Sequence, residues 1–320
     1  MSFESMSVEN MKKYMGTNPR PTDFDRYWEE SLEEIAAWDP SPRLVPAAFR
    51  AAGAECFDLY YSGADGAQIH AKYLRPAGRK GKIPVIYMFH GYSGNSGDWW
   101  DKLAWISQGF AVAVMDCRGQ AGLSEDRGNV NCTTYHGHII RGLLEGSKAL
   151  LFRQIFMDTA LLVKAVKNFP ETDSARMAVH GGSQGGGLSL VCAALVPEIR
   201  CAAVLYPFLC DYRRVWELNC RGSAYEELEY FFRAYDPRHE QEEEYFTRLG
   251  YIDVQYLVPR IRAKVLWGMG LKDEACPAST QFAAYNRLKT EKQLMLYPDF
   301  GHEGLPGFID ECVMFLSSNL

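Results

Sequence analysis

The sequence predicts an α/β protein built on a mostly parallel, doubly wound sheet, and three observations carry that prediction. Short runs such as Ile83-Pro84-Val85-Ile86-Tyr87-Met88-Phe89 and residues 110–115 are apolar at nearly every position, as strands covered on both faces must be. Segments of helical length alternate with those runs, which is the pattern of crossover units in a parallel sheet. No internal repeat, low-complexity tract or Gly/Ser linker divides the 320 residues, so a single domain over 1–320 is expected.

The elements follow in order. Residues 1–40 are polar, with Phe24, Tyr27, Trp28, Leu32, Ile35 and Trp38 at helical spacing, which predicts an N-terminal helical extension packed on the outside of the domain. Residues 55–75 alternate in β fashion around the Gly-containing stretch 63–66, reading as a hairpin. Strand 83–89, helix 99–108 and strand 110–115 come next. Helix 155–168 leads to strand 176–180, and helix 185–196 to strand 201–206. Strand 263–269, helix 277–289, strand 292–297 and a closing helix at 307–318 complete the pattern. Between 211 and 258 the alternation stops and two or three amphipathic helices are expected, an insertion at the strand ends where such sheets bind ligands.

Composition narrows the function. Apolar residues are 47% of the chain, enough for a large core. The balance of 34 basic against 40 acidic residues leaves a net charge of −6, which repels phosphate backbones and anionic lipid. Neither nucleic acid nor a membrane is therefore an expected partner. The first twenty residues lack the apolar centre of a secretory signal, and no stretch approaches the roughly 18 apolar residues of a membrane span. Nine scattered cysteines, odd in number and never spaced C-x-x-C, read as reduced, mostly buried thiols. A cytoplasmic location is the expectation.

The chemistry centres on Gly181-Gly182-Ser183-Gln184-Gly185, a G-x-S-x-G sequence directly after one predicted strand and directly before a predicted helix. A turn that tight holds the serine in a strained conformation above the sheet, and side chains at the Gly181 and Gly185 positions would collide across it. This is the nucleophile turn of the α/β-hydrolase fold, in which the N–H of Gln184 faces a developing oxyanion. Without that context the same residues are only a Gly-rich helix entrance. His302, in the loop after the last strand, falls where the general base of such a fold belongs. The acid is sought at the end of the preceding strand, where Asp273 is the first choice, Glu274 its close rival and Asp299 a third candidate. After the 83–89 strand, His90-Gly91-Tyr92 places the Tyr92 N–H as the second oxyanion donor.

Other features carry less. Tyr135-His136-Gly137-His138 holds two histidines but no further ligands to complete a metal site, and no metal is expected. Arg118 reads as a buried or loop-clamping guanidinium, a structural residue near the site. The acidic run 240–244 reads as a solvated helix face. No G-x-G-x-x-G or Walker A sequence occurs, so no nucleotide cofactor is implied.

Arg118-Gly119-Gln120, Gly182-Ser183-Gln184-Gly185-Gly186 and His302-Glu303 together resemble the acetyl xylan esterase and cephalosporin C deacetylase family. The stretches Gly137-His138-Ile139-Ile140-Arg141-Gly142, Tyr206-Pro207-Phe208-Leu209, Tyr235-Asp236-Pro237-Arg238-His239 and Gly250-Tyr251-Ile252-Asp253 support the likeness, which runs from about Pro21 to the final helix. The resemblance implies a metal-free intracellular serine esterase that removes small acyl groups, typically acetyl, from substrates as different as acetylated xylo-oligosaccharides and cephalosporin C. It implies a homo-oligomer, often a hexamer. It places the triad on Ser183, Asp273 and His302 and the oxyanion donors on Tyr92 and Gln184, favouring Asp273 over Glu274. One departure stands out: where the family commonly has two prolines after the acid, this chain has Cys276-Pro277-Ala278. The rival expectations are a triad hydrolase of other acyl or amide substrates, and a non-catalytic binding protein of the same fold.

Overall fold

A computed structural model describes residues 4–128, 130, 137–220 and 225–320. Tyr135 and His136, half of the histidine pair noted above, lie outside the described residues, as does Cys132. Nine strands form one sheet: β1 (Arg43–Pro46), β2 (Ala54–Ser62), β3 (Gln68–Pro76), β4 (Ile83–Phe89), β5 (Ala111–Met115), β6 (Thr172–Gly182), β7 (Cys201–Leu205), β8 (Lys264–Gly270) and β9 (Lys292–Tyr297). Their spatial order is β1-β2-β3-β5-β4-β6-β7-β8-β9. The first three strands and β5 pair antiparallel, and from β5 to β9 every neighbouring pair is parallel.

The helices are α1 (Val8–Met11), α2 (Phe24–Ala37), α3 (Leu103–Ser107), α4 (Leu151–Val166), α5 (Gln184–Leu195), α6 (Tyr212–Glu217), α7 (Glu226–Tyr235), α8 (Glu242–Leu249), α9 (Val254–Leu257), α10 (Ala278–Arg287) and α11 (Phe308–Asn319). They cover both faces of the sheet, and the strands show it residue by residue. Val85, Tyr87 and Phe89 of β4 join a core shared with α2, α4, α5 and α10. Ile86 and Met88, pointing the other way, join a second core with Trp105 and Ile106 of α3 and Phe308, Cys312 and Leu316 of α11. Because alternate side chains of a strand face opposite sides, a sheet buried on both must be apolar at every position. That is why these strands are continuous apolar runs.

Three details differ from expectation. The edge strand β1 carries no sequence signal, because none of its four residues is fully buried and no alternation is imposed on it. The helix expected at 99–108 is a 3-10 turn, Trp100–Lys102, followed by the short α3. The 211–258 segment holds four short helices, α6 to α9, rather than two or three. The N-terminal segment docks on that region: Tyr14 Oη and the N–H groups of Thr17 and Asn18 all donate to the buried carboxylate of Asp211. The eight described cysteines are buried and free of disulfides. No helix among the described residues is long and apolar enough to cross a membrane.

Candidate active site

The nucleophile turn is built by steric necessity. Ser183 stands between β6 and α5 with φ 57° and ψ −124°, a conformation a non-glycine residue holds only under constraint. The constraints are visible. Its N–H donates to Leu205 O at 2.9 Å, and its carbonyl accepts from Gly187 N at 3.0 Å and Phe208 N at 2.9 Å. A Cβ at Gly185 would lie 2.0 Å from Phe89 O, and one at Gly181 2.5 Å from Gly185 O, so neither glycine admits a side chain. The ends of β4 and β6 and the start of α5 therefore touch backbone to backbone.

Behind the serine, Gln184 is wholly buried and its side-chain amide pairs reciprocally with that of Gln120, at 2.9 and 3.1 Å. It also donates to His90 O at 3.3 Å. As the first residue of α5, Gln184 presents a backbone N–H that no carbonyl of its own helix can satisfy, at the positive end of the helix dipole. Arg118, two residues before Gln120, does not reach Ser183. Its buried guanidinium grips Asp158 through two bonds of 2.7 and 2.8 Å and donates to Ala64 O.

His302 and Asp273 meet across two loops. His302 Nδ1 lies 2.9 Å from Asp273 Oδ2. The other carboxylate oxygen accepts the N–H groups of Ala275 at 2.9 Å and Cys276 at 2.7 Å. Asp273 is buried, whereas Glu274 is exposed and Asp299, 82% exposed at its side chain, pairs with Lys272. Geometry thus brings Asp273 to the imidazole and leaves both rivals in solvent. The two loops are held together by Lys272 N–H on Phe300 O, and by Gly270, where a Cβ would lie 2.5 Å from that same carbonyl. The Tyr206 ring lies against the imidazole at 4.4 Å between centroids.

Among the described residues no hydrogen bond joins the Ser183 hydroxyl to His302. The hydroxyl is 4.0 Å from Cys276 Sγ, and that sulfur lies within 4.8 Å of a His302 ring nitrogen and an Asp273 oxygen, so all four groups share one small patch. Nucleophile–base bonds commonly tighten in the substrate complex. Asp273, Cys276 and His302 also have the right atom types to ligate a metal ion. Here, however, both oxygens of Asp273 are already engaged, one by His302 Nδ1 and the other by the Ala275 and Cys276 N–H groups. The patch suits proton transfer from a serine hydroxyl.

The loop that carries Tyr92 follows β4. His90 Nε2 accepts the Cys117 N–H at 3.0 Å, which leaves its Nδ1–H to donate to Gly91 O at 2.8 Å. Residues 91–94 close a turn through Gly94 N–H on Gly91 O, with Ser93 at φ 57°. The Tyr92 side chain packs edge-on against Phe208 and His138 and donates its hydroxyl to Glu227. Sequence reasoning singled out neither Gln120's partnership with Gln184, nor Cys276 as a neighbour of Ser183, nor Glu227. The family-like Arg118-Gly119-Gln120 motif was a signal for the first and the departure at Cys276 after the acid one for the second, but nothing local marked Glu227.

Comparison with known proteins places the chain in a family. The family model described as acetyl xylan esterase matches residues 1–319. The crystal structure of acetyl xylan esterase 1 from a Thermoanaerobacterium species is 50% identical and superposes with a TM-score of 0.96 over 98% of this chain and 99% of that one. The acetyl xylan esterase of a Paenibacillus species is 35% identical, with a TM-score of 0.93 over 98% of this chain and all of that one. Acetyl esterase Axe7A of Xylanibacter ruminicola is 24% identical over 304 residues, 91% of this chain, and the alignment spans only 65% of that longer relative. On a match that covers nearly its whole length, this α/β-hydrolase-fold chain belongs to the acetyl xylan esterase family.

Proposed function

We propose that the chain is a serine carboxylesterase that releases acetyl groups from small esters through an acetyl-enzyme on Ser183. The observation that carries the reading is a buried carboxylate bound to the imidazole of His302 beside a serine held at φ 57° on a glycine-bounded turn. His302 takes the Ser183 proton as its oxygen attacks the acetyl carbonyl, and Asp273 holds the imidazole in the required tautomer and stabilises its charged form. The N–H groups of Tyr92 and Gln184 receive the oxyanion, each such donor contributing about 3–4 kcal/mol. His302 then protonates the departing alcohol, and water releases acetate by the same relay. The family match and the names of its relatives support the acetyl preference. Acetylated xylo-oligosaccharides and the acetoxymethyl group of cephalosporin C are the proposed substrates, with a cytoplasmic homohexamer as the proposed setting.

The test compares wild type with Ser183→Ala on p-nitrophenyl acetate, butyrate and octanoate, acetylated xylo-oligosaccharides, cephalosporin C and a peptide amide. Acetyl-selective release that disappears in the variant is expected. Cleavage of long-chain esters or of the amide at comparable rates would overturn the acetyl reading. Inertness of the wild type on every ester would make the chain a binding protein.

A further inference from the structure

We infer that Glu227, on α7, is a positioning residue of the oxyanion hole, its buried carboxyl group fixing the Tyr92 side chain and through it the turn that presents the Tyr92 N–H. The inference rests on the proposed role of that N–H.

The 91–94 turn needs fixing. Ser93 sits in the left-handed region at φ 57°, which a non-glycine residue leaves unless neighbours oppose it. His90 restrains the turn from one side through Gly91 O. On the other side the restraint is the Tyr92 side chain. Its ring packs at 5.5 Å from Phe208, whose own N–H braces the Ser183 carbonyl, and at 4.8 Å from His138. Its hydroxyl donates to one oxygen of Glu227.

Glu227 is fully buried, and its second oxygen accepts the N–H groups of Ile139 at 2.8 Å and Ile140 at 2.9 Å. His138 in the same stretch reaches back to the turn, its Nε2 lying 3.1 Å from Ser93 Oγ. One carboxyl group therefore joins three segments far apart in sequence: the oxyanion loop, residues 138–140 and a helix of the 211–258 segment. Every donor is neutral. Burial without a cationic partner raises the Glu227 pKa to about 8, a cost that a surface carboxylate would avoid. Its hydrogen bonds run to Tyr92, Ile139 and Ile140 and not to Ser183 or His302. What it does hold is the phenol of the residue whose backbone meets the developing charge.

The experiment measures kcat and KM on p-nitrophenyl acetate for Tyr92→Phe, Glu227→Met and the double variant, per active site titrated with a fluorophosphonate. Ser183→Ala serves as reference, and affinity for a boronic acid that forms a tetrahedral adduct on the serine is measured in parallel. A misplaced oxyanion donor lowers kcat and boronate affinity together while leaving ground-state binding alone. Each single variant is expected to lose roughly tenfold in kcat with KM within about twofold, a fraction of the loss from deleting a donor. Because Tyr92→Phe and Glu227→Met each remove the same phenol–carboxyl bond, the double should fall no further than the weaker single. A purely structural role would lower thermal stability and titratable sites but not kcat per site. Tyr92→Phe removes one hydroxyl, so it decides the matter alone if Glu227→Met does not fold. An unchanged kcat in Tyr92→Phe, or losses that multiply in the double, overturns the inference while a dead Ser183→Ala leaves the esterase reading standing. Retained turnover in Ser183→Ala would overturn both.

Discussion

Replacing Asp273 by Asn tests the acid with almost no change of shape, and the structure dictates how the amide must sit. The Asp273 oxygen that accepts the Ala275 and Cys276 N–H groups demands an acceptor, so the amide oxygen takes that position. The NH2 is then forced to the other position, 2.9 Å from His302 Nδ1. Two donors cannot face each other, so the imidazole must shift its proton to Nε2, the nitrogen that should accept from Ser183. Trading the amide ends instead would point a donor at two backbone N–H groups. A wrong tautomer of this kind costs about 10⁴ in kcat in a serine protease triad, or about 5 kcal/mol of barrier. The assay is kcat on p-nitrophenyl acetate at pH 8, with thermal melting to show that the fold is kept. Glu274→Gln, which alters an exposed neighbour, should stay within about twofold of wild type. A loss below tenfold in Asp273→Asn would show that the carboxylate does not set the tautomer, and the triad assignment would fall.

Three further outcomes are expected. Asp158→Ala leaves the Arg118 guanidinium buried and unpaired, and should cost about 3–5 kcal/mol in urea unfolding, whereas Arg118→Met with Asp158→Leu should recover much of that loss. Gly185→Ala drives a Cβ into Phe89 O at 2.0 Å and should abolish both activity and native near-ultraviolet dichroism, while Gly304→Ala, which meets nothing within 4 Å, should leave both unchanged. Burial pushes the Asp116 carboxyl up, but the His70 imidazole and the N–H groups of Leu123 and Ser96 outweigh it and bring the pKa from 3.8 down to about 2. A folded pKa below the unfolded one stabilises above pH 3.8, and the contribution is lost as pH falls through about 2. Asp116→Asn should therefore remove about 2 kcal/mol at neutral pH and flatten the acid limb of the stability profile.

Much of the site was legible because its causes are local. The G-x-S-x-G spacing marks Gly181, Ser183 and Gly185 in the sequence, although only Gly181 is excluded by a near neighbour and Gly185 by Phe89 O of β4, and the position of His302 after β9 follows from the order of the elements. The strand runs were legible because a doubly covered sheet imposes apolar character at each position, as β4 and β5 show. Where that pressure is absent the pattern fades: β1 lies at the sheet edge and was not foreseen. The acid remained a choice among neighbours on the residues alone, since Asp273 and Glu274 are chemically alike and adjacent.

Sequence by itself therefore determined the fold class and singled out the turn at Ser183 and the histidine at 302, from periodicity, motif spacing and the order of the elements. Only the tertiary structure decided which carboxylate is buried against His302, that the Cys276 thiol lies beside the Ser183 hydroxyl, and that Gln120 pairs with Gln184. It alone showed Glu227, 135 residues from Tyr92 in the chain, holding that phenol. The reason is physical. A hydrogen bond between distant segments constrains the distance between two side chains, and that distance is set by how helices and loops pack over the sheet. Glu227 in the chain is one of several acids on an amphipathic helix, and only packing separates the one that is buried from its half-exposed neighbours.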